Sequence, residues 1–151
     1  MKIKFLVLLL AGATSLAACK KDKDAPAPNP GDTQLPIGTY KLVQSINYDS
    51  TGKADTLKFP LSDLSLSFDQ AKQTANIAGK PESIQITGGY NVKANNVLTD
   101  AVFTTPGIAP PTANDAVVLN LLKTGDSYEA KGATVTIKAK DKGFLVFSAQ
   151  K

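Results

Sequence analysis

The chain has 151 residues, 17 of them basic and every one of those a lysine, against 13 acidic residues, with one cysteine and no histidine. That inventory excludes a zinc or copper site built on imidazole, a Ser-His-Asp triad, a Cys-His pair and any disulfide within one chain. Nucleic-acid readers lean on arginine for bidentate contacts, so a chain without arginine and without a basic cluster in its folded part is not expected to bind nucleic acid.

The first residues, Met1-Lys2-Ile3-Lys4, are basic; residues 5–10 are apolar; small residues then lead to Leu16-Ala17-Ala18-Cys19. A basic start, a short apolar run and a small-residue cleavage site mark a secretory segment, and the run is too short to span a bilayer. The segment resembles a bacterial lipoprotein signal peptide. The resemblance implies cleavage after Ala18, with Leu16, Ala17 and Ala18 read by the peptidase and Cys19 carrying the lipid. The competing reading is ordinary cleavage that leaves Cys19 a free thiol. Three acyl chains, as in similar lipoproteins, would hold the protein permanently on the membrane, since each buried methylene contributes about 0.8 kcal/mol. Removal of Lys2 and Lys4 with residues 1–18 leaves 15 lysines against 13 acids.

Lys20-Lys21-Asp22-Lys23-Asp24 follows. Lys20, rather than Asp, stands after the cysteine, which departs from a known inner-membrane retention signal and favours the outer membrane. The charged run also resembles the export signal of some surface lipoproteins; as a plain solvated leader it would leave the protein facing the periplasm. Alternating prolines at 26, 28 and 30 favour extended polyproline II. Residues 19–36 thus read as a lipidated cysteine and tether, able to hold a domain on the order of 50 Å from the lipid.

Residues 37–151 have room for one domain. Strands are expected at 39–46, 56–59 and 64–68, the last with Leu64, Leu66 and Phe68 on one face. A weak strand at 74–79 and an extended stretch at 83–93 follow, the latter interrupted by Gly88-Gly89, which invites a bulge or sharp bend. Ala94-Asn95-Asn96 reads as a turn, 97–103 as a strand, and 104–111 as a loop with three prolines. The period then changes. Thr112 is an N-cap candidate, Asp115 puts acid in the first turn, and Ala113, Val117, Val118, Leu121 and Leu122 share a helical face. One helix over 112–123 is expected, ended by Lys123 and Gly125, covering an open face or end of the sheet. Strands at 127–130, 134–138 and 144–148, joined by hairpin-like turns, complete an α+β domain dominated by antiparallel sheet.

This order of signatures resembles the META domain, also called HslJ-like. The carrying residues are Gly38-Thr39-Tyr40-Lys41-Leu42-Val43, Leu66-Ser67-Phe68-Asp69, Gly88-Gly89-Tyr90, Asn95-Asn96-Val97-Leu98, Thr104-Thr105, the helix ending in Leu121-Leu122, then Tyr128, Val135-Thr136-Ile137 and Phe144-Leu145-Val146-Phe147. The family's frequent cysteines and first-strand tryptophan are missing. The resemblance implies a small β-rich domain with one helix on its sheet and a role in the envelope or in stress tolerance. It brings no catalytic mechanism, no cofactor and no functional residue.

Three features are candidate sites. Gly88-Gly89 would line a ligand groove or form a bulge. Tyr40, Tyr48, Tyr90 and Tyr128 would make an aromatic ligand surface or edge the core. In the proline-rich loop, Thr105, Pro106, Ile108, Pro110 and Pro111 would form a rigid contact surface or a plain connection into the helix. The ten carboxylates of the domain are scattered at turns, where Asp serves structure, and the close Asp spacing of a calcium loop is missing. A non-enzymatic outer-membrane lipoprotein acting by protein contacts is the first expectation. A lipocalin-like barrel binding a small ligand is the alternative.

Overall fold

The computed structural model describes residues 34–150. Cys19, the recognition residues Leu16, Ala17 and Ala18, and most of the tether lie outside them. The described part holds nine strands and one α-helix: β1 (Thr39–Tyr48), β2 (Ala54–Lys58), β3 (Ser65–Asp69), β4 (Thr74–Gly79), β5 (Ile86–Lys93), β6 (Val97–Thr104), α1 (Ala113–Thr124), β7 (Ser127–Lys131), β8 (Thr134–Ala139) and β9 (Gly143–Ala149). A short 3-10 turn, Ala94–Asn96, joins β5 to β6. Strands such as β4, β8 and β9 alternate buried and exposed residues, and turns fall where Asn, Asp and Gly supply positive φ, as at Asn95, Gly132 and Asp141.

All pairings are antiparallel, and the sheet closes on itself because β1 also pairs with β9, from Tyr40 opposite Ala149 to Asn47 opposite Gly143. β1 and β3 to β9 form the closed barrel. β2 is an extra strand on the upper half of β1, whose lower half pairs with β3. The β-rich antiparallel domain with one helix expected from the sequence is present, and its sheet is a closed barrel. β2 pairs with β1 alone, leaving its other edge unpaired, and it is short and almost wholly exposed. One joint of the barrel is thin: β6 meets β7 at a single pair, Val97 opposite Ser127.

Two register shifts bend the wall. Val43 is the extra residue in β1 opposite β9. The second shift lies between β5 and β6, where Tyr90 alone faces Asp100 and Ala101. The extra residue therefore sits on β6, at Asp100 with φ +53°, rather than at Gly88-Gly89 as expected. Those two glycines serve close approach instead. A Cβ on Gly88 would overlap the Val102 carbonyl and crowd Phe103, and one on Gly89 would overlap the Ala75 carbonyl.

The inward residues form one continuous cluster that includes Leu42, Leu66, Ile77, Ile86, Val135, Leu145 and Phe147, all fully buried. Leu35 belongs to it, and its backbone N–H donates to Gln70 Oε1 at 2.8 Å. Packing thus begins ahead of residue 37, where the sequence places the start of the domain.

α1 contacts β1, β6, β8 and β9; its first turn meets the β4–β5 connection, and just after its last turn the Asp126 carbonyl accepts from the Leu98 N–H at the start of β6. Val118, Leu121 and Leu122 point inward. Of the expected apolar face, Ala113 is exposed, and its place in the buried set is taken by Asp115. The chain enters at the mouth away from the first turn of α1, beside the β3–β4, β5–β6 and β7–β8 turns.

Candidate functional site

The helix-bearing end of the barrel gathers the β4–β5 connection (80–85), the proline-rich loop (105–111) and the first turn of α1. Thr112 caps α1: its hydroxyl accepts from the Asp115 backbone N–H at 3.0 Å, while the Asp115 carboxylate accepts from the Thr112 N–H at 3.0 Å. The same carboxylate reaches across to the β4–β5 connection. It accepts from the Glu82 N–H at 3.1 Å, the Ser83 N–H at 3.3 Å and the Ser83 hydroxyl. Burial by itself pushes the Asp115 carboxyl up. Hydrogen bonds from Ser83 and Thr112 outweigh that and hold it below the usual carboxylate range. Glu82 extends the clasp, accepting from the Thr112 hydroxyl at 2.8 Å and Asn114 Nδ2 at 2.6 Å.

This clasp fixes the C-terminal end of the proline-rich loop. Thr105, Pro106 and Pro111 line a shallow depression of about 100 Å3, floored by Ile84 and Leu119. Ile108 and Pro110 do not line it. Ile108 stands fully exposed, and the Pro110 carbonyl accepts from the Ser83 hydroxyl at 3.5 Å. The expected contact residues therefore lie on one solvent-facing loop. Leu61, 95% exposed, stands on the same side, in the segment that meets Pro81 and Glu82.

The tyrosines do not form a common surface. Tyr40, Tyr90 and Tyr128 are buried inside the barrel, whereas Tyr48 is partly exposed and packs edge-on against Phe144. Tyr90 donates its hydroxyl to the Leu122 carbonyl at 2.6 Å, tying the far end of α1 to the wall; burial pushes its ionisation well up. Gly125 ends α1 with φ −61°, so it is not needed for a left-handed cap. A Cβ there would lie 2.9 Å from both Ile137 Cγ2 and the Tyr90 hydroxyl, which is why glycine suits the place where the helix enters the barrel.

Asp49 and Asp69 serve their own turns, whereas Asp126 and Asp63 hold backbone from distant segments. Asp49 accepts from the Thr51 and Lys53 N–H groups, Asp69 from Ala71 and Lys72, Asp126 from Lys140, and Asp63 from Lys80. Among the described residues no group of three His, Cys, Asp or Glu side chains could hold a metal ion, and no helix is long and apolar enough to cross a membrane. The sequence reading missed the Asp115 clasp; the Thr-x-x-Asp spacing signalled the cap, but nothing local signalled Ser83 as its second partner.

No protein-family model matches the chain, and no curated protein matches it. Among solved structures, the chain is similar to a DUF4847 family protein from Bacteroides vulgatus, at 13% identity and a TM-score of 0.48, over 76% of this chain and 93% of that one.

Proposed function

We propose that this is a non-enzymatic lipoprotein of the outer membrane, anchored through Cys19, whose META-like domain acts by protein contacts in envelope assembly or stress tolerance. The observation that carries the contact reading is the clasped loop 105–111, with Ile108 fully exposed at the mouth opposite the one where the chain enters. A tether attached at the entry mouth turns this loop away from the lipid. The anchor reading is supported by the basic start, apolar run and Leu16-Ala17-Ala18-Cys19. The non-enzymatic reading is supported by the lack of histidine and by carboxylates committed to turns.

The test begins with cell fractionation and mass spectrometry of the wild type and Cys19→Ala. The wild type should be in the outer membrane with acyl chains on Cys19, and the variant should be released. Cross-linking on intact cells should then yield a protein adduct that Ile108→Asp loses while remaining folded. An unmodified Cys19 would remove the anchor, and an adduct indifferent to Ile108→Asp would remove the contact loop. A second reading, a lipocalin-like binder of a small ligand, is favoured by the closed antiparallel barrel with neighbouring strands in chain order.

A further inference from the structure

β1 changes partners halfway along its length. Residues 44–48 pair with β2, and residues 39–41 pair with β3. Val43, the extra residue of the bulge, stands between the two pairings. Its carbonyl accepts from the Phe59 N–H at 3.0 Å, and the neighbouring Leu42 N–H donates to the Leu64 carbonyl at 2.9 Å. Residues 59–64 therefore leave the wall at Val43 and rejoin it at Leu42, as an arch over the place where the sheet divides. Phe59 and Leu64 anchor the arch in the core, and Leu61 stands exposed between them.

Two adjoining hollows flank this arch. One, of about 360 Å3, is lined by Lys41, Val43, Lys58, Phe59 and Gln150 among others. The second, of about 340 Å3, shares Lys58, Phe59 and Pro60 with it and adds Leu61, Pro81 and Glu82. Both lie on the outside of the barrel. Lys41 sits between Tyr40 and Leu42, which point inward, so its own side chain points out. Lys58 is opposite Gln44, and Gln44 opposite Val146, which alternates with the inward Leu145 and Phe147.

Charge separates the two hollows. The first is lined by two lysines and no acidic residue. Lys41 is half-buried, yet among the described residues the ion pairs belong to Lys72, Lys131 and Lys138, not to Lys41 or Lys58. A half-buried cation without a counter-ion favours an anion beside it. The Ser62 hydroxyl is already committed to the Lys80 carbonyl and the Leu64 N–H, which leaves the two ammonium groups and the Gln150 amide as donors. The second hollow repels an anion through Glu82, and its Phe59, Pro60, Leu61 and Pro81 offer apolar surface. The pair of hollows thus suits a molecule with a negative head and an apolar body, in one orientation. Their size falls at the lower end of the range for small-molecule sites.

We infer that the hollows beside the 59–64 arch form a binding site for a small monocarboxylate with an apolar body. Its carboxylate lies between Lys41 and Lys58, and its body crosses Pro60 to Leu61 and Pro81. The site uses neither the 105–111 loop nor the barrel interior, so it stands or falls apart from both readings above. The probes are octanoate, 1-octanol and acetate, titrated at neutral pH into the full chain carrying Cys19→Ala, with affinity read by calorimetry and location by amide chemical shifts. Octanoate should bind about tenfold or more tightly than either of the others and should shift Val43 and residues 58–62. Lys41→Met with Lys58→Met should weaken it about tenfold or more while keeping both apolar stems. Leu61→Ser, at an exposed position that leaves the fold intact, should weaken octanoate and leave acetate unchanged. Octanol binding as tightly would overturn the assignment to an anion, and acetate binding as tightly would overturn the apolar half of the site. Shifts confined to inward residues such as Val135 and Ile137 would overturn the outer-wall site in favour of the barrel interior. Unchanged octanoate affinity in the double lysine variant, or no octanoate binding at all, would overturn the inference outright.

Discussion

Replacing Asp115 with alanine should be among the most damaging single changes at the helix-bearing end of this barrel. The carboxylate serves three backbone N–H groups, those of Glu82, Ser83 and Thr112, and the Ser83 hydroxyl. Loss of the reciprocal cap costs about 1 kcal/mol. The Glu82 and Ser83 N–H groups lose a charged acceptor in a partly buried position, at about 1–1.5 kcal/mol each. The sum is about 3–4 kcal/mol, or a fall in Tm of about 12–16 °C for a domain of this size. Asp115→Asn keeps the shape and one acceptor oxygen and should cost about half as much. The pH dependence carries a definite sign. The folded carboxyl titrates below its ordinary value, so its contribution is complete above the unfolded pKa of about 3.9 and is lost as pH falls through the folded value. Urea unfolding of wild type, Asp115→Ala and Asp115→Asn at pH 7 and across pH 5 to 2.5 measures both effects. A loss below about 1 kcal/mol for alanine, or an asparagine variant with an acid limb as steep as the wild type's, would refute the clasp.

Gly88→Ala should cost at least about 3 kcal/mol or prevent folding, since its Cβ would meet backbone that cannot withdraw, whereas Gly132→Ala, with open space and φ +56°, should cost only about 1–2 kcal/mol; thermal melts of the two compare them directly. Tyr90→Phe should lose about 1–2 kcal/mol and free the end of α1, seen as faster amide exchange at residues 121–124. Ile108→Asp should leave unfolding within about 0.5 kcal/mol of wild type, because the side chain touches only solvent. Glu129 accepts from Lys131 at 2.5 Å and Lys138 at 2.8 Å, which brings it down to about 2. In an NMR titration Lys131→Ala should raise that midpoint; an unchanged midpoint would show that the exposed pair is not formed in solution.

Strand identity was legible in the sequence because it depends on neighbours a few residues apart. Leu64, Leu66 and Phe68 announce a strand by alternation, and Thr112 with Asp115 announces a helix start by capping chemistry. The carboxylates at turns were legible for the same reason: Asp49 and Asp69 bond N–H groups two to four residues ahead. Locality also limited what could be read. Gly88-Gly89 signalled a backbone irregularity, but the extra residue belongs to the facing strand at Asp100, and only the pairing of β5 with β6 decides which strand bulges.

The sequence by itself determined the set of elements, their order, the helix cap and the exclusion of histidine- and thiol-based chemistry within the domain. Tertiary structure alone decided that β1 and β9, about a hundred residues apart, close the sheet into a barrel. It decided that α1 packs against β1, β6, β8 and β9 and that Asp115 is buried against Ser83. The physical reason is the range of the forces that specify each feature. Alternation, turn chemistry and capping act within a few residues, whereas closure and burial depend on which distant surfaces shed water together.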